Sequence, residues 1–323
     1  MSRRCTACGT EFPDEVAFCG HDGSPTIQVT PPGERPDPRL GTKLGDYVVV
    51  AHVADGAMGA VYEARNTQTR QRVAIKVLHP DVAEDEVAVE RFKREYETAG
   101  MLDHPNVVKV IDADFIPGNG PPFIVFEYID GIDVGEMIDG NLFAPEDALE
   151  LARQVVSGLV HLHEAGVFHC DIKPRNLLWT DRGVKIIDFN VAVFGASGDR
   201  GGGSRRYLPP DLDLDAVPTT SDLADRDLYA LGITLYEAVT GRYPWGDAQI
   251  PPPGKRAPDP REQSNLLNLA PELADIMVKA IAPERADRFA SAAELMNALA
   301  AVPAARRPPQ PTTPVPPAWG APD

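Results

Sequence analysis

Cysteine is scarce in this chain and unevenly placed. Four cysteines occur in 323 residues, and three of them, Cys5, Cys8 and Cys19, lie near the N-terminus. A small disulfide-stabilised fold needs a denser set of cysteines spread along the chain. The sequence therefore argues against a disulfide framework and favours a metal site at the N-terminus, with Cys170 left alone in the middle of the chain.

Long apolar runs and excess positive charge are also absent. No stretch of eighteen apolar residues could span a bilayer, and the N-terminal MSRRCTACGTEF lacks the apolar core of a secretory signal. The formal net charge is −17 and the pI is about 4.8, which disfavours nucleic acid or an anionic membrane as main partner, because both attract clustered Lys and Arg. We expect a cytoplasmic protein with no membrane span and no nucleic-acid partner.

Composition divides the chain into four parts. We predict a Cys-bearing head over residues 1–24, a Pro-containing linker over 25–44, a globular body over 45–301 and a Pro-rich, disordered tail over 302–323. The linker predicts that the head lies apart from the body. Either the head or the tail could bind a further partner, although a solvated tail is the simpler interpretation.

The body changes from a strand pattern to a helix pattern along its length. DYVVVAHV, GAVYEAR and RVAIKVL are rich in β-branched residues and separated by turn signals. Helical spacing of apolar residues follows in EVAVERFKREYETAGML, PEDALELARQVVSGLVHLHEAG, DRDLYALGITLYEAVTG and PELADIMVKAIA. The body therefore predicts an α+β fold, mostly β and then mostly α. The sequence contains no internal repeat, which argues against a solenoid or a propeller.

The head carries two half-sites with the spacing of metal ligands. CTACG at residues 5–9 lets two thiolates bind one tetrahedral ion, and FCGHDG at 18–23 supplies Cys19. Superposing the half-sites puts Asp22 where Cys8 stands, so Asp22 is the preferred fourth zinc ligand and His21 the alternative. The stretch resembles small bacterial zinc ribbons. A ribbon without metal, or a disordered head with reactive thiols, is the alternative.

The first part of the body combines a glycine-rich turn with a strand lysine. VADGAMGAVYEA holds Gly56 and Gly59 between two strand-like runs, and VAIK places Lys76 on the next strand. A lysine there can reach phosphates covered by the turn. Glu95 on the following predicted helix could hold the lysine, and HCDIKPRN and IIDFN supply further acids downstream.

Together these motifs resemble the eukaryotic-like (Hanks-type) serine/threonine protein kinases of bacteria, from Tyr47 to about Ala300. The resemblance implies a two-lobed fold, with an N-lobe over about 45–129 and a C-lobe over about 130–301. It implies that Asp171 accepts the proton of a protein Ser/Thr hydroxyl, that Lys173 steadies the ATP γ-phosphate and that Asn176 and Asp188 hold Mg²⁺. Lys76 would bind the α- and β-phosphates and pair with Glu95.

Further positions follow from the same resemblance. The backbone of Glu127 and of Tyr128–Ile129 would contact adenine, with Phe126 as gatekeeper. The other implied ATP-binding residues are Val53, Gly56, Gly59, Val61 and Ala74. GGSRRYLPPD resembles the end of an activation segment, in which Ser204 and Asp211 stand for the usual Thr and Glu; Arg288 would pair with Asp211, and Asp227 would brace the catalytic loop.

Three residues depart from the family pattern: Ala54 replaces a glycine of the phosphate turn, Cys170 replaces the arginine before the catalytic aspartate, and Asn190 replaces the glycine of Asp-Phe-Gly. A thiol cannot receive an activation-loop phosphate as arginine does, so we expect a kinase independent of loop phosphorylation. The alternative function is a pseudokinase that binds nucleotide or acts as a scaffold. A small-molecule phosphotransferase is disfavoured by the activation-segment match.

Overall fold

Three short strands form the N-terminal sheet. The computed structural model describes residues 2–30, 37–56, 59–87, 89–90, 96–97, 100–116, 120–188, 205–213, 215–262 and 269–303. Strands β1 (Ser2–Cys5), β2 (Glu11–Pro13) and β3 (Thr26–Gln28) are antiparallel in the order β2-β1-β3. The sheet thus continues past residue 24, where we predicted the head to end.

A six-stranded antiparallel sheet follows, with its strands in the order β4-β5-β6-β7-β9-β8. Its members are β4 (Lys43–Leu44), β5 (Tyr47–Asp55), β6 (Gly59–Asn66), β7 (Arg72–Leu78), β8 (Val110–Phe115) and β9 (Pro122–Glu127). Alternating side chains such as Val49, Ile75 and Phe123 are buried in one cluster, as period-two patterning requires. The three predicted strands of this region are confirmed. Eight of the seventeen residues of the predicted helix EVAVERFKREYETAGML lie outside the described residues.

Helices dominate the rest of the described chain. They are α1 (Val134–Asp139), α2 (Ala148–Glu164), α3 (Thr220–Thr240), α4 (Pro271–Ala280) and α5 (Ala292–Ala301). Helix α2 buries one face through Leu151, Val155, Leu159 and Leu162. No helix within the described ranges is both long and apolar enough to cross a membrane.

Helix α3 has well-defined ends. A reciprocal capping box of Thr219 and Asp222 begins it, and Gly241, with φ 66°, ends it. Its interior is buried almost throughout, so this helix forms the rigid centre of the C-terminal part.

A small sheet carries the segments between the two parts. It consists of β10 (Ile132–Asp133), β11 (Leu177–Thr180) and β12 (Gly183–Ile186), in that order. Asp171 lies shortly before β11 and Asp188 shortly after β12. The hairpin of β11 and β12 therefore brings the two predicted acidic residues to the same end of a short ribbon.

The head packs directly on the six-stranded sheet, which corrects the expectation that the linker keeps it apart. The guanidinium carbons of Arg65 and Arg70 lie 5.9 and 5.1 Å from the centre of the Phe18 ring. These distances are within cation–π range. Proline in the connector predicts a spacer, whereas strand β3, at the start of the connector, and strand β5, which follows it, are in contact.

Candidate functional site

A fully buried carboxylate holds the backbone of the predicted catalytic loop. Asp227, with 0% exposure on α3, accepts hydrogen bonds from the backbone N–H groups of His169 at 2.9 Å and Cys170 at 2.7 Å. The His163 ring bonds to the same carboxylate at 2.9 Å. Burial opposes ionisation of Asp227, but these bonds outweigh it and lower the pKa. The predicted bracing contact is present, and His163 is a partner that the motif did not indicate.

The candidate base lies at the centre of this loop. The carboxylate of Asp171 accepts from Lys173 Nζ at 2.7 Å and from Asn176 Nδ2 at 3.1 Å. Asn176 Nδ2 also donates to the Asp171 carbonyl at 2.8 Å. Both bonds use the amide nitrogen of Asn176, so its side-chain oxygen remains the acceptor end. The structure therefore brings three predicted site residues together.

Lys76 and Asp188 form the second part of the site. Lys76 Nζ on β7 lies 3.0 Å from Asp188 Oδ1. This ammonium holds the pKa of Asp188 below its ordinary value. Asp188 has φ 59°, in the left-handed region. Glu95, the predicted partner of Lys76, lies outside the described residues.

The glycine-rich turn joins β5 to β6. Gly56 N donates to Gly59 O at 2.9 Å. A Cβ on Gly59 would stand 2.3 Å from the Val77 carbonyl oxygen, so only glycine fits there. Ala54 pairs with Val61 in the ladder, directly after a register shift at His52, and it is not among the described non-glycine residues with a positive φ. Alanine is therefore accommodated at this departure from the family pattern.

The predicted adenine contacts lie at the end of β9 and just beyond it. Phe126 is buried opposite Ala74 on β7, and Ile129 packs against the main core. The Glu127 carboxylate accepts from Lys185 Nζ at 2.6 Å, a partner that the sequence gave no reason to expect. Val53, by contrast, is 51% exposed. The segment 127–129, called the hinge below, therefore connects the six-stranded sheet to the small sheet.

Cys170 is buried in an apolar cluster. Its side chain contacts Phe168 and Leu223, and its φ is 59°. Arg226 of α3 reaches the Cys170 carbonyl at 3.4 Å. The backbone of the loop at Cys170 is therefore held by Asp227 and Arg226. Asn190, Ser197 and Ser204 lie outside the described residues.

The predicted ion pair at the end of the activation segment is present. Arg288 donates to Asp211 Oδ1 and to Asp225 Oδ2, each at 2.6 Å. Its guanidinium carbon also lies 4.7 Å from the centre of the Tyr229 ring. These contacts tie the segment after residue 204 to the base of α3.

The head gathers four potential metal ligands. One ligand atom each from Cys5, Cys8, Cys19 and Asp22 lies within 4.8 Å of the others. The Cys8 and Cys19 sulfurs are 3.6 Å apart, and Cys5 Sγ is 3.5 Å from either Asp22 oxygen. His21 is outside this cluster, with its ring facing Phe12 at 6.2 Å.

The two half-sites have matching backbones. Gly9 N donates to Cys5 O at 3.2 Å, and Gly23 N donates to Cys19 O at 2.9 Å. Both glycines have a left-handed φ, 73° and 72°. Backbone hydrogen bonding from Ser24 lowers the pKa of Asp22 to about 2, so Asp22 offers an anionic oxygen at neutral pH.

Known proteins are similar to this chain over most of its length. The protein kinase domain family matches residues 47–301. The chain is 34% identical over 300 residues to the serine/threonine-protein kinase PknA of Mycobacterium tuberculosis, covering 88% of this chain and 68% of PknA. It is 36% identical over 208 residues to PrkC of Bacillus subtilis, covering 62% of this chain and 31% of PrkC. The crystal structure of the M. tuberculosis PknI kinase domain matches with a TM-score of 0.63 and 28% identity, over 81% of this chain and 98% of that domain.

The chain therefore belongs to the protein kinase family. Its domain is of the serine/threonine type, as the relatives and the DIKPRN loop agree. The chain spans about a third of the length of PrkC and about two thirds of PknA.

Proposed function

We propose that this protein transfers the γ-phosphoryl group of ATP to serine or threonine hydroxyls of other proteins. The observation that carries the proposal is the Asp171 carboxylate, held by Lys173 and Asn176 within 3.1 Å. An anchored carboxylate can accept the proton of an acceptor hydroxyl, and the neighbouring ammonium can stabilise charge on the phosphoryl group.

The residues present fit Mg²⁺ and ATP. The amide nitrogen of Asn176 donates to Asp171, which leaves the amide oxygen as the acceptor end. The backbone carbonyl of Asn176 accepts from the N–H of Ile187, next to Asp188 in the chain, at 3.0 Å, and oxygen donors suit Mg²⁺. Bound Mg²⁺ would supply charge neutralisation on the phosphates. Lys76 would bind the α- and β-phosphates, while the turn at Gly56 and Gly59 would cover them. The pairing of Lys76 with Glu95 remains a prediction.

A cavity beside the catalytic loop supports a protein acceptor. It has a volume of about 510 Å³ and is lined by Lys173, Arg175, Arg206, Tyr207 and Glu237, among others. Tyr207 donates to Glu237 at 2.5 Å. The cavity lies next to Lys173, so a peptide held there would place a hydroxyl close to Asp171.

A transfer assay tests this function directly. Purified protein is incubated with labelled ATP, Mg²⁺ and a generic basic protein substrate. Label on Ser or Thr supports the kinase. Nucleotide binding without transfer, by protein that is folded, would instead support the pseudokinase alternative.

We further propose that activity does not depend on phosphorylation of the activation segment. The support is the buried Cys170, which offers no cation at the place of the usual arginine. Cys170→Ser is expected to keep most of the activity, because the loop backbone is held by Asp227. Ser197→Ala should change turnover little. A large loss in Ser197→Ala, with phosphate found on Ser197 of the wild type, would contradict this proposal.

We also propose that the head binds one Zn²⁺ through Cys5, Cys8, Cys19 and Asp22. Tetrahedral bonds of about 2.3 Å to sulfur and about 2.0 Å to oxygen separate two sulfurs by about 3.8 Å and a sulfur from an oxygen by about 3.5 Å. The observed separations, 3.6 Å between Cys8 and Cys19 and 3.5 Å between Cys5 and Asp22, are close to these values. His21 would be the alternative ligand only if the head rearranged.

Metal analysis of freshly purified protein is expected to give one zinc per chain. Cys8→Ser and Cys19→Ser should each lose it, because a neutral hydroxyl is a poor substitute for a thiolate ligand. Cys170→Ser is the matched control and should retain it, since Cys170 lies in the cluster with Phe168 and Leu223. Zinc-free wild type, or zinc loss in the control, would remove the support for this site.

A further inference from the structure

We propose that the head positions the hinge through a row of four side chains, so that metal loading of the head strengthens nucleotide binding. The row consists of Phe18, Arg65, Glu63 and Arg72 and ends at Tyr128; we call it the arginine row. The proposal rests on the proposed kinase function. It adds positioning residues that the kinase motifs do not include.

The row begins beside the candidate zinc ligands. Phe18 directly precedes Cys19, and its ring is approached by Arg65 at 5.9 Å and by Arg70 at 5.1 Å. A segment as small as the head has too little core to fold alone, so metal binding would drive its folding. The position of the Phe18 ring therefore depends on the metal.

A buried carboxylate links the two arginines of the row. Glu63 is 6% exposed, and its Oε1 lies 3.1 Å from Arg65 NH2. Arg72 NH2 donates to Glu63 Oε2 at 3.1 Å. Removing one partner from such a group leaves an uncompensated buried charge, which is costly. A displacement of one of the three side chains is therefore expected to displace the other two.

Hydrogen bonding within this group is incomplete. Arg65 Nε, Arg72 Nε and Glu63 Oε1 are buried and make no hydrogen bond within the described part of the chain. Burial also lowers the pKa of Arg65, against the effect of Glu63. The Phe18 ring, 5.9 Å away, is the contact that the head adds to this under-satisfied guanidinium, and losing it should displace the cation.

The other end of the row contacts the hinge. The guanidinium carbon of Arg72 lies 3.6 Å from the centre of the Tyr128 ring, and its NH1 lies 2.6 Å from Asp130 Oδ1. Tyr128 stands between Glu127 and Ile129, whose backbone is predicted to contact adenine. A stacked and ion-paired arginine fixes the direction of this segment.

The test compares Phe18→Leu and Arg65→Met with the wild type as full chains. Methionine keeps the apolar stem of Arg65 and removes the charge. We expect the Kd for a non-hydrolysable ATP analogue with Mg²⁺, and the KM for ATP, to rise about three- to tenfold, the range typical of residues that couple two sites. The kcat at saturating ATP should be unchanged, and Arg65→Met should still contain zinc.

Arg70→Asn is the matched control. Arg70 contacts the same ring as Arg65 but makes no described contact with Glu63, and asparagine tolerates its φ of 62°. Its Kd should equal that of the wild type. Zinc chelation should raise the Kd of the wild type and cause no further rise in Arg65→Met.

Two results would overturn the proposal: an unchanged Kd in folded Phe18→Leu and Arg65→Met, or an equal rise in Arg70→Asn. The second result would indicate general loosening of the sheet. Absence of transfer by the wild type would contradict the proposed kinase function alone, because the Kd comparison does not depend on turnover.

Discussion

Asp171→Asn is expected to lower phosphoryl transfer by about 10²–10⁴-fold, the contribution typical of a positioned general base. An amide cannot accept the proton of the acceptor hydroxyl at neutral pH. Nucleotide affinity should be retained, because the assigned role of Asp171 is on the acceptor hydroxyl, and Lys173 and Asn176, which bond to its carboxylate, are both still present in the variant.

The loop geometry should survive this substitution. An amide oxygen can still accept from Lys173 and Asn176, and the backbone bonds of Asp227 to His169 and Cys170 are untouched. The measurements are single-turnover transfer and binding of an ATP analogue. Asp181→Asn, in the exposed turn between β11 and β12, is the matched control. Equal losses of affinity and transfer would contradict the assigned role.

Local motifs allowed much of the catalytic part to be predicted. Asp171, Lys173 and Asn176 lie within six residues, so a short loop suffices to bring them together. Strand and helix types were likewise predictable from period-two and helical spacing. The Arg288–Asp211 pair is also present as expected, although 77 positions separate the partners, because the resemblance and not a local pattern indicated it.

Other contacts could not be predicted because they depend on packing between distant segments. The Phe18 ring meets Arg65 from a separate sheet, and no sequence period connects the two. His163 and Lys185 have ordinary local surroundings, on a helix and on a strand, until the fold places carboxylates beside them. The sequence therefore predicts the head as an independent unit. In the structure, the head packs against the six-stranded sheet.

The cluster of four potential metal ligands shows where sequence symmetry was sufficient. Two half-sites with a glycine at the same offset predicted that Asp22 would stand in for a cysteine, and the left-handed Gly9 and Gly23 explain why. The same turn directs the neighbouring His21 toward Phe12. Backbone geometry thus explains why Asp22, and not the adjacent His21, lies in the cluster of potential ligands.

Lys76→Met and Asp188→Asn are each expected to reduce transfer by about 10²-fold or more, as loss of a preorganised charge at the reacting group does. Lys76 is 8% exposed and pairs with Asp188 at 3.0 Å. In the proposed site, loss of the ammonium would remove a cation from the phosphates, and loss of the carboxylate would remove a ligand from Mg²⁺. Nucleotide affinity should therefore fall with activity in both variants, unlike in Asp171→Asn.

The fold should remain cooperative in both variants, because these charges face the cleft and the hydrophobic clusters on either side do not include them. Lys109→Met and Asp103→Asn are the matched controls: they alter an exposed pair 3.6 Å apart, which is worth little, and should leave transfer unchanged. Thermal unfolding monitored by circular dichroism is the check. If Lys76→Met or Asp188→Asn instead abolished the unfolding transition, the pair would be holding the two parts of the domain together, and its assignment to nucleotide and metal binding would be wrong.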